Sequence, residues 1–271
     1  MDLIQAVILG IVQGLTEFIP VSSSGHLVLV PALLGWSSPG LAFDTVLHLG
    51  TASALILSFW REWMTLIVSG LRSLFRWRIQ SADERLAWLI VVGCLPAAAA
   101  GYLLEDFFAQ VFEDPIVSAY FLLVTAGILT IAEGLGPRLR SLAKLRLSDA
   151  VAVGIAQAVA ILPGISRSGS TIAAGMLVGL EREAAARYSF LLAAPVILGA
   201  GLLQLPDAVR TRAVGAGSLE LLVGFVVAAV VGYLCIGFLL RYLRNGTLYP
   251  FAVYCAAFGL FGVIRLGGFA G

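Results

Sequence analysis

The sequence predicts an all-α integral membrane protein, an inverted-topology repeat of two five-helix halves that each carry a re-entrant helix hairpin. Three observations predict it: an apolar composition, apolar runs of bilayer length, and a gapless internal repeat. Of 271 residues, 60% are hydrophobic and 12% charged, where soluble domains hold about 45–50% and about 25%. The mean hydropathy is +0.99. Runs such as Leu219 to Leu240, with Glu220 its one charge, and Leu248 to Ile264, with none, match the roughly 20 residues a helix needs to cross a bilayer. The N-terminal segment is not expected to be a cleavable signal: it lacks a basic start, carries Asp2, and runs into polar, Gly-rich sequence.

Ten apolar helical segments are expected. In the first half they cover about 2–16, 24–35, 41–60, 85–104 and 115–134, and in the second about 148–162, 168–180, 186–205, 218–240 and 248–266. The first two of each half are too short to span alone and are separated by a Pro and a run of Ser and Gly. Irregular backbone is tolerated at membrane depth only inside protein or beside water, so each pair reads as a re-entrant hairpin. Between Arg61 and Arg85, Trp63, Leu66, Leu71, Leu74, Phe75 and Trp77 alternate with arginines. This stretch reads equally as an interfacial amphipathic helix or as a basic loop with aromatic anchors.

The whole chain, 1–271, forms one membrane domain, with repeat one at about 1–135 and repeat two at about 145–271. An offset of 144 residues superposes Ala6 on Ala150, Val7 on Val151, Gly10 on Gly154, Ile11 on Ile155 and Gln13 on Gln157. The same register pairs Ser22, Ser24 and Gly25 with Ser166, Ser168 and Gly169, and Leu33 and Gly35 with Leu177 and Gly179. Composition bias would match some Leu, Ala and Gly, but not Gln13 together with a Ser-x-Ser-Gly string.

Charge orients the halves. Arg61, Arg72, Arg76, Arg78 and Arg85 fall in one loop, Arg138, Arg140, Lys144 and Arg146 in a second, and Arg241 and Arg244 in a third. The positive-inside rule places all three in the cytoplasm. The loop with Glu105, Asp106, Glu113 and Asp114 goes outside, and the mixed loop with Asp207, Arg210 and Arg212 follows it by parity. The first hairpin then enters from outside and the second from the cytoplasm, and both termini fall outside. Inverted repeats with broken helices bring their polar tips together near the midplane; here the tips are Gln13 to His26 and Pro163 to Thr171.

Ionisable groups at membrane depth are costly and mark functional sites. Glu17, His26, Arg167 and Asp44 are the candidates. Gln13 and Glu17, four apart, share a helix face, and an oxygen from each suits Mg²⁺ or Ca²⁺; a structural alternative has Glu17 simply neutralising Arg167. Ser22, Ser23 and Ser24 precede a helix start, where hydroxyls cap and free N–H groups attract anions. His26 is suited to proton transfer near neutral pH. In Pro163-Gly164-Ile165-Ser166-Arg167-Ser168-Gly169-Ser170-Thr171, the glycines permit a tight turn. The hydroxyls of Ser166, Ser168 and Thr171 can cradle an oxyanion, and Arg167 offers a fork suited to phosphate. This is not a Walker A loop, since no Lys-Ser/Thr follows the glycines. His48 and Asp44, four apart on the next span, could face the same cavity. Together these residues suit phosphoryl transfer: Arg167 and a divalent cation neutralise charge, Ser23 or a water attacks, and His26 with Glu17 manages the proton.

At Gln13-x-x-x-Glu17 leading into Pro20-Val21-Ser22-Ser23-Ser24-Gly25-His26, and at Pro163-Gly164-Ile165-Ser166-Arg167-Ser168, the chain resembles the undecaprenyl-diphosphatase (bacitracin-resistance) family of membrane lipid phosphatases. The resemblance covers essentially the whole chain. It implies hydrolysis of undecaprenyl diphosphate to undecaprenyl phosphate and phosphate, which recycles the carrier lipid of peptidoglycan synthesis and gives bacitracin resistance. It implies Mg²⁺ or Ca²⁺ dependence and a place in the bacterial inner membrane with the site open to the periplasm. It also implies that Glu17, Ser23, His26 and Arg167 are essential. The family accepts Glu or Gln at the first position of its first motif, and Gln13 is a weaker cation ligand than a carboxylate.

A phosphate or lipid-phosphate transporter would share the inverted repeat and the Ser-rich tips, but a pure binding site needs no Ser-His-Glu grouping. A scaffold would need no midplane charges. The net charge of +1 gives no basic field for nucleic acid. The expected partners are therefore a polyprenyl diphosphate substrate and membrane lipids, and small residues on the spans permit a homodimer. Cys94, Cys235 and Cys255 have no disulfide or metal spacing and read as small buried hydrophobes.

Overall fold

Apolar periodicity broken by Pro, Ser and Gly yields helices throughout. The computed structural model describes residues 1–104, 107–108, 114–210 and 217–267. Among these residues there are eleven α-helices and one short 3₁₀ turn: α1 Leu3–Thr16, α2 Ser23–Leu34, α3 Leu41–Ser58, α4 Trp60–Arg76, α5 Ala82–Leu103, α6 Pro115–Leu135, α7 Leu147–Val159, α8 Arg167–Leu177, α9 Arg182–Arg210, α10 Ser218–Tyr242 and α11 Tyr249–Gly267. Six of them (α3, α5, α6, α9, α10 and α11) are long and apolar enough to cross a membrane, which makes this a multi-pass membrane protein. Glu105, Asp106, Glu113 and Arg212, which entered the orientation argument, lie outside the described residues.

Local chemistry sets the helix ends. Asp2 caps α1 with a full capping box through Gln5, and Ser81 does the same for α5 through Glu84; each satisfies N–H groups that a helix start leaves free. Asp114 caps α6, whose first position is Pro115, where a missing N–H costs nothing. Gly35 and Gly179, which the repeat register superposes, both have positive φ, at 68° and 102°. Both follow a short helix and let the chain turn out of it.

Several boundaries differ from expectation. Helix α3 stops at Ser58, because Phe59 leaves helical geometry and α4 begins at once. The basic stretch takes the helical one of its two readings: it is a helix over Trp60–Arg76, docks on α5 through Leu66 and Ser73, and holds Trp88 Nε1 against Ser73 Oγ at 2.8 Å. Helix α8 ends at Leu177 rather than near 180, since Leu180 N–H closes back onto the Gly175 carbonyl. Helix α9 begins four residues earlier than expected because its first charges are paired: Arg182 with buried Glu133 on α6, and Glu183 with Arg244. Glu133 also accepts from Arg138 and from Leu248 N–H, tying together the ends of α6, α9 and α11.

Packing follows small residues. Helix α1 lies along α10, and α7 along α5. A Cβ added at Gly10 would stand 3.0 Å from the Gly224 carbonyl, and one at Gly154 would stand 2.6 Å from the Gly93 carbonyl. The 144-residue register superposes these two glycines, and both allow the backbone approach that membrane helices use in place of hydrophobic association. Helix α3 packs on α9 and α10, and α6 on α11. The core is Leu- and Ala-rich, with Phe18 and Phe190 edge to face at 5.5 Å. All three cysteines are free; Cys235 and Cys255 are buried, as expected of small hydrophobes, and Cys94 is half-buried.

Candidate active site at two hairpin tips

The two Pro- and Ser-containing turns meet in the interior. The first links α1 to α2. Ser22 caps α2, its Oγ accepting from Gly25 N–H at 3.2 Å, and its backbone sits at φ 73°, a strained setting for a residue with a Cβ. The second links α7 to α8. Ser166 caps α8 in the same way, accepting from Gly169 N–H at 3.0 Å. Gly164, at φ 90°, lies so close to the Ser118 carbonyl that no side chain would fit. Thr125 of α6 clasps this turn by donating to the Gly164 carbonyl at 2.9 Å and accepting from Ser166 N–H at 3.0 Å. The turns touch directly: Ser168 Oγ donates to the Ile19 carbonyl at 3.3 Å. A Cβ added at Gly25 would stand 3.0 Å from Gly164 Cα.

Glu17, only 5% exposed, is the hub. Its Oε1 accepts from Arg167 of the opposite turn. Its Oε2 accepts from Ser23 Oγ at 2.6 Å and from Gln13 Nε2 at 3.0 Å. His48 Nε2 lies 3.8 Å from the same oxygen, its Nδ1 anchored 2.8 Å from the Asp44 carbonyl. Gln13, Glu17, Ser23 and Arg167 therefore converge, from positions 150 residues apart. Arg167 Nη1 and Gln13 Oε1 are buried there without a protein partner. A buried polar group left unpaired is costly, so both atoms are available to pair with a ligand.

His26 does not join this cluster. Its Nδ1 lies 2.7 Å from the Ser22 carbonyl and its Nε2 2.7 Å from the Tyr254 hydroxyl, with the ring stacked on Phe258 at 4.7 Å. The other candidate residues divide by what holds them. Ser22 and Ser166 are buried helix caps, each 3.3 Å from Ser24 or Ser168 across its own turn. Thr171 is fully buried and bonded to the Arg167 carbonyl and to Ser189 Oγ, the latter at 2.6 Å. Asp44 Oδ1 has no partner, while the His48 side chain reaches toward Glu17.

The sequence did not point to Thr51, Thr125, Ser189 or Tyr254. Thr51 lies 3.4 Å from Gln13 Nε2. These are single polar residues in apolar helices, and no spacing rule distinguishes them from lipid-facing or self-bonded side chains.

The oxygen donors of Gln13 and Glu17 fit a hard divalent cation, and the unpartnered Gln13 Oε1 supplies a free acceptor beside the carboxylate. Among the described residues no three His, Cys, Asp or Glu side chains gather into a metal cluster. A cation here would complete its shell with substrate and water oxygens, as Mg²⁺ commonly does.

Residues 6–261 match the family model described as bacitracin resistance protein BacA. The chain is 43% identical over 260 residues to an undecaprenyl-diphosphatase of Desulforudis audaxviator, covering 96% of each chain. It is 45% identical over 257 residues to that of Rubrobacter xylanophilus, covering 94% of each. The undecaprenyl-diphosphatase of Methanosphaera stadtmanae matches at 43% identity over 274 residues, covering 97% of this chain and 98% of its own. With nearly full length matched on both sides, this chain belongs to the BacA bacitracin-resistance family.

Proposed function

We propose that this protein is an undecaprenyl-diphosphate phosphatase. It hydrolyses undecaprenyl diphosphate to undecaprenyl phosphate and inorganic phosphate, recycles the carrier lipid for peptidoglycan synthesis, and confers bacitracin resistance. One observation carries the reading: Ser23 donates to Glu17 at 2.6 Å while Arg167, on the same carboxylate, keeps Nη1 free. A nucleophile beside a proton acceptor, with a vacant guanidinium N–H next to both, is what phosphoryl transfer requires.

In this mechanism the diphosphate enters between the turns. Arg167 Nη1 and the N-termini of α2 and α8 take the phosphoryl oxygens; free N–H groups and the positive dipole end of a helix favour an anion there. Ser23 Oγ attacks the terminal phosphorus as its proton passes to Glu17. The Ser–O–P bond forms, the bridging P–O bond breaks, and undecaprenyl phosphate leaves. Water then hydrolyses the phosphoserine, releasing inorganic phosphate and restoring the Ser23 hydroxyl. Gln13 and Glu17 would hold Mg²⁺ or Ca²⁺ when it is bound, and the ion would neutralise charge on the diphosphate. Ser24, Ser168 and the Gly164 turn line the approach, while Ser22, Ser166 and Thr171 act by holding the turns in shape.

The same reading includes the inverted repeat, 1–135 against 145–271, with α1–α2 and α7–α8 as re-entrant hairpins. It is supported by the matched caps at Ser22 and Ser166, by the positive φ at both Gly35 and Gly179, and by the reciprocal packing of α1 on α10 and α7 on α5. It places the protein in the inner membrane with the site open to the periplasm. Helix α4 then lies along the cytoplasmic interface; its exposed Met64, Ile67, Leu71 and Phe75 and its arginines support that position. A homodimer fits the exposed glycines Gly127 and Gly237, where an added Cβ meets nothing within 4 Å.

Purified protein in detergent should release phosphate from a C55 polyprenyl diphosphate. Excess EDTA should abolish the release and added Mg²⁺ or Ca²⁺ should restore it. No release from well-folded protein under any cation condition would refute the assignment.

A further inference from the structure

Granted that phosphatase reading, we propose that Tyr254 of α11 is a positioning residue for the nucleophile. It acts through His26, which in this chain orients Ser23 rather than taking its proton. The Ser22 carbonyl can only accept. A ring nitrogen 2.7 Å away must therefore carry hydrogen, so neutral His26 is the Nδ1–H tautomer. Its Nε2 is then an acceptor, and the Tyr254 hydroxyl, 2.7 Å away, donates to it. Both ring nitrogens are thereby committed. The Ser23 hydroxyl donates to Glu17 instead.

The Ser22 carbonyl belongs to the peptide that leads into Ser23. It accepts from the His26 ring and also from His26 N–H at 3.2 Å. Ser22 is one of three non-glycine residues with positive φ among the described residues, a setting that persists only where surrounding contacts over-determine it. The ring supplies one such contact, and stacking on Phe258 at 4.7 Å and on Tyr254 at 5.6 Å fixes the ring. Tyr254, 228 residues from His26 along the chain, thus ties the direction of the nucleophile to the packing of α11 on the bundle. If its hydroxyl is removed, Nε2 is left a buried acceptor without a donor, while the Ser22 carbonyl still keeps the hydrogen on Nδ1. The ring then loses the contact that ties it to α11, and its hold on the Ser22 carbonyl loosens.

The test uses the full chain in detergent. The protein has two histidines, so a His48→Gln background leaves the His26 ring as the single source of ¹⁵N imidazole signals. With Tyr254 present, Nδ1 should give a protonated-type shift and Nε2 an unprotonated one moved upfield by the hydrogen bond it accepts; in Tyr254→Phe the tautomer should persist and the Nε2 signal should move downfield to the value of a free acceptor. In an otherwise wild-type chain, Tyr254→Phe should keep its thermal midpoint and lower kcat for phosphate release by about tenfold, with KM held within about twofold, as expected for an interaction that matters only in the transition state. An Nε2–H tautomer with Tyr254 intact would overturn the proposal, as would a wild-type kcat in Tyr254→Phe. The tautomer is read without turnover. If wild type proves inactive, the phosphatase reading falls separately, while the spectrum still decides how His26 is held.

Discussion

Arg167→Ala should lower kcat/KM for phosphate release by about 10³-fold, in the range found when a preorganised cationic partner of a transferring phosphoryl group is removed. Arg167 combines two functions. One guanidinium nitrogen holds Glu17, and the other is buried without a partner. Alanine removes both the phosphate donor and the positive charge paired with Glu17 in the interior. Arg167→Lys should recover only a small part of the loss, because a single ammonium cannot hold the carboxylate and the phosphoryl oxygens in a fixed fork. Steady-state assays of both variants, alongside thermal unfolding to confirm an intact fold, check this. Near-wild-type kcat in Arg167→Lys would show that position 167 supplies charge alone.

Glu17→Gln should be comparably severe, lowering kcat by about 10³-fold, within the contribution of a positioned general base. The substitution keeps the size of the side chain and its place against Gln13 and Ser23. It removes the acceptor for the Ser23 proton and the charge facing Arg167. Because Gln13 and Glu17 are also the oxygen donors proposed for the cation, the residual activity should need a higher Mg²⁺ concentration for half-saturation. A cation titration of the variant reads this shift. Loss of turnover with an unchanged cation requirement would leave Glu17 its proton role and remove its metal role.

Much of this architecture was legible before any coordinates. Apolar runs at bilayer length located all six candidate spans among the described residues, and the Ser-Gly turns located both tips, because membrane helices must satisfy their own backbone and announce each break. The 144-residue register brought Gln13, Ser22 and Ser24 into correspondence with Gln157, Ser166 and Ser168. The pairing of Glu17 with Arg167 was legible only as the structural alternative to a cation at Glu17. Side-chain direction was less legible. Spacing put His26 on the first tip but could not tell that its ring turns to Ser22 and Tyr254 rather than to Ser23. Tyr254 itself looks like any lipid-facing aromatic, and at 44% exposure it partly is one. His48 was placed no better than facing the same cavity, yet it stands 3.8 Å from Glu17. Charged starts were misread as loop for a related reason: Arg182 and Glu183 count as polar in a hydropathy reading, but Glu133 and Arg244 neutralise them. Such pairings are tertiary facts that no local window contains.

The central claim is that the two hairpin tips form a single phosphatase site, and a double-mutant cycle between them tests it most directly. Phosphate release from a C55 polyprenyl diphosphate would be measured for wild type, Glu17→Gln, Arg167→Ala and the double variant. Residues that act as one unit lose their contribution together. The account therefore predicts a double variant within about tenfold of the worse single one, rather than the roughly 10⁶-fold loss that independent effects would multiply to. Multiplicative losses would mean that the two tips contribute separately, and would contradict the account.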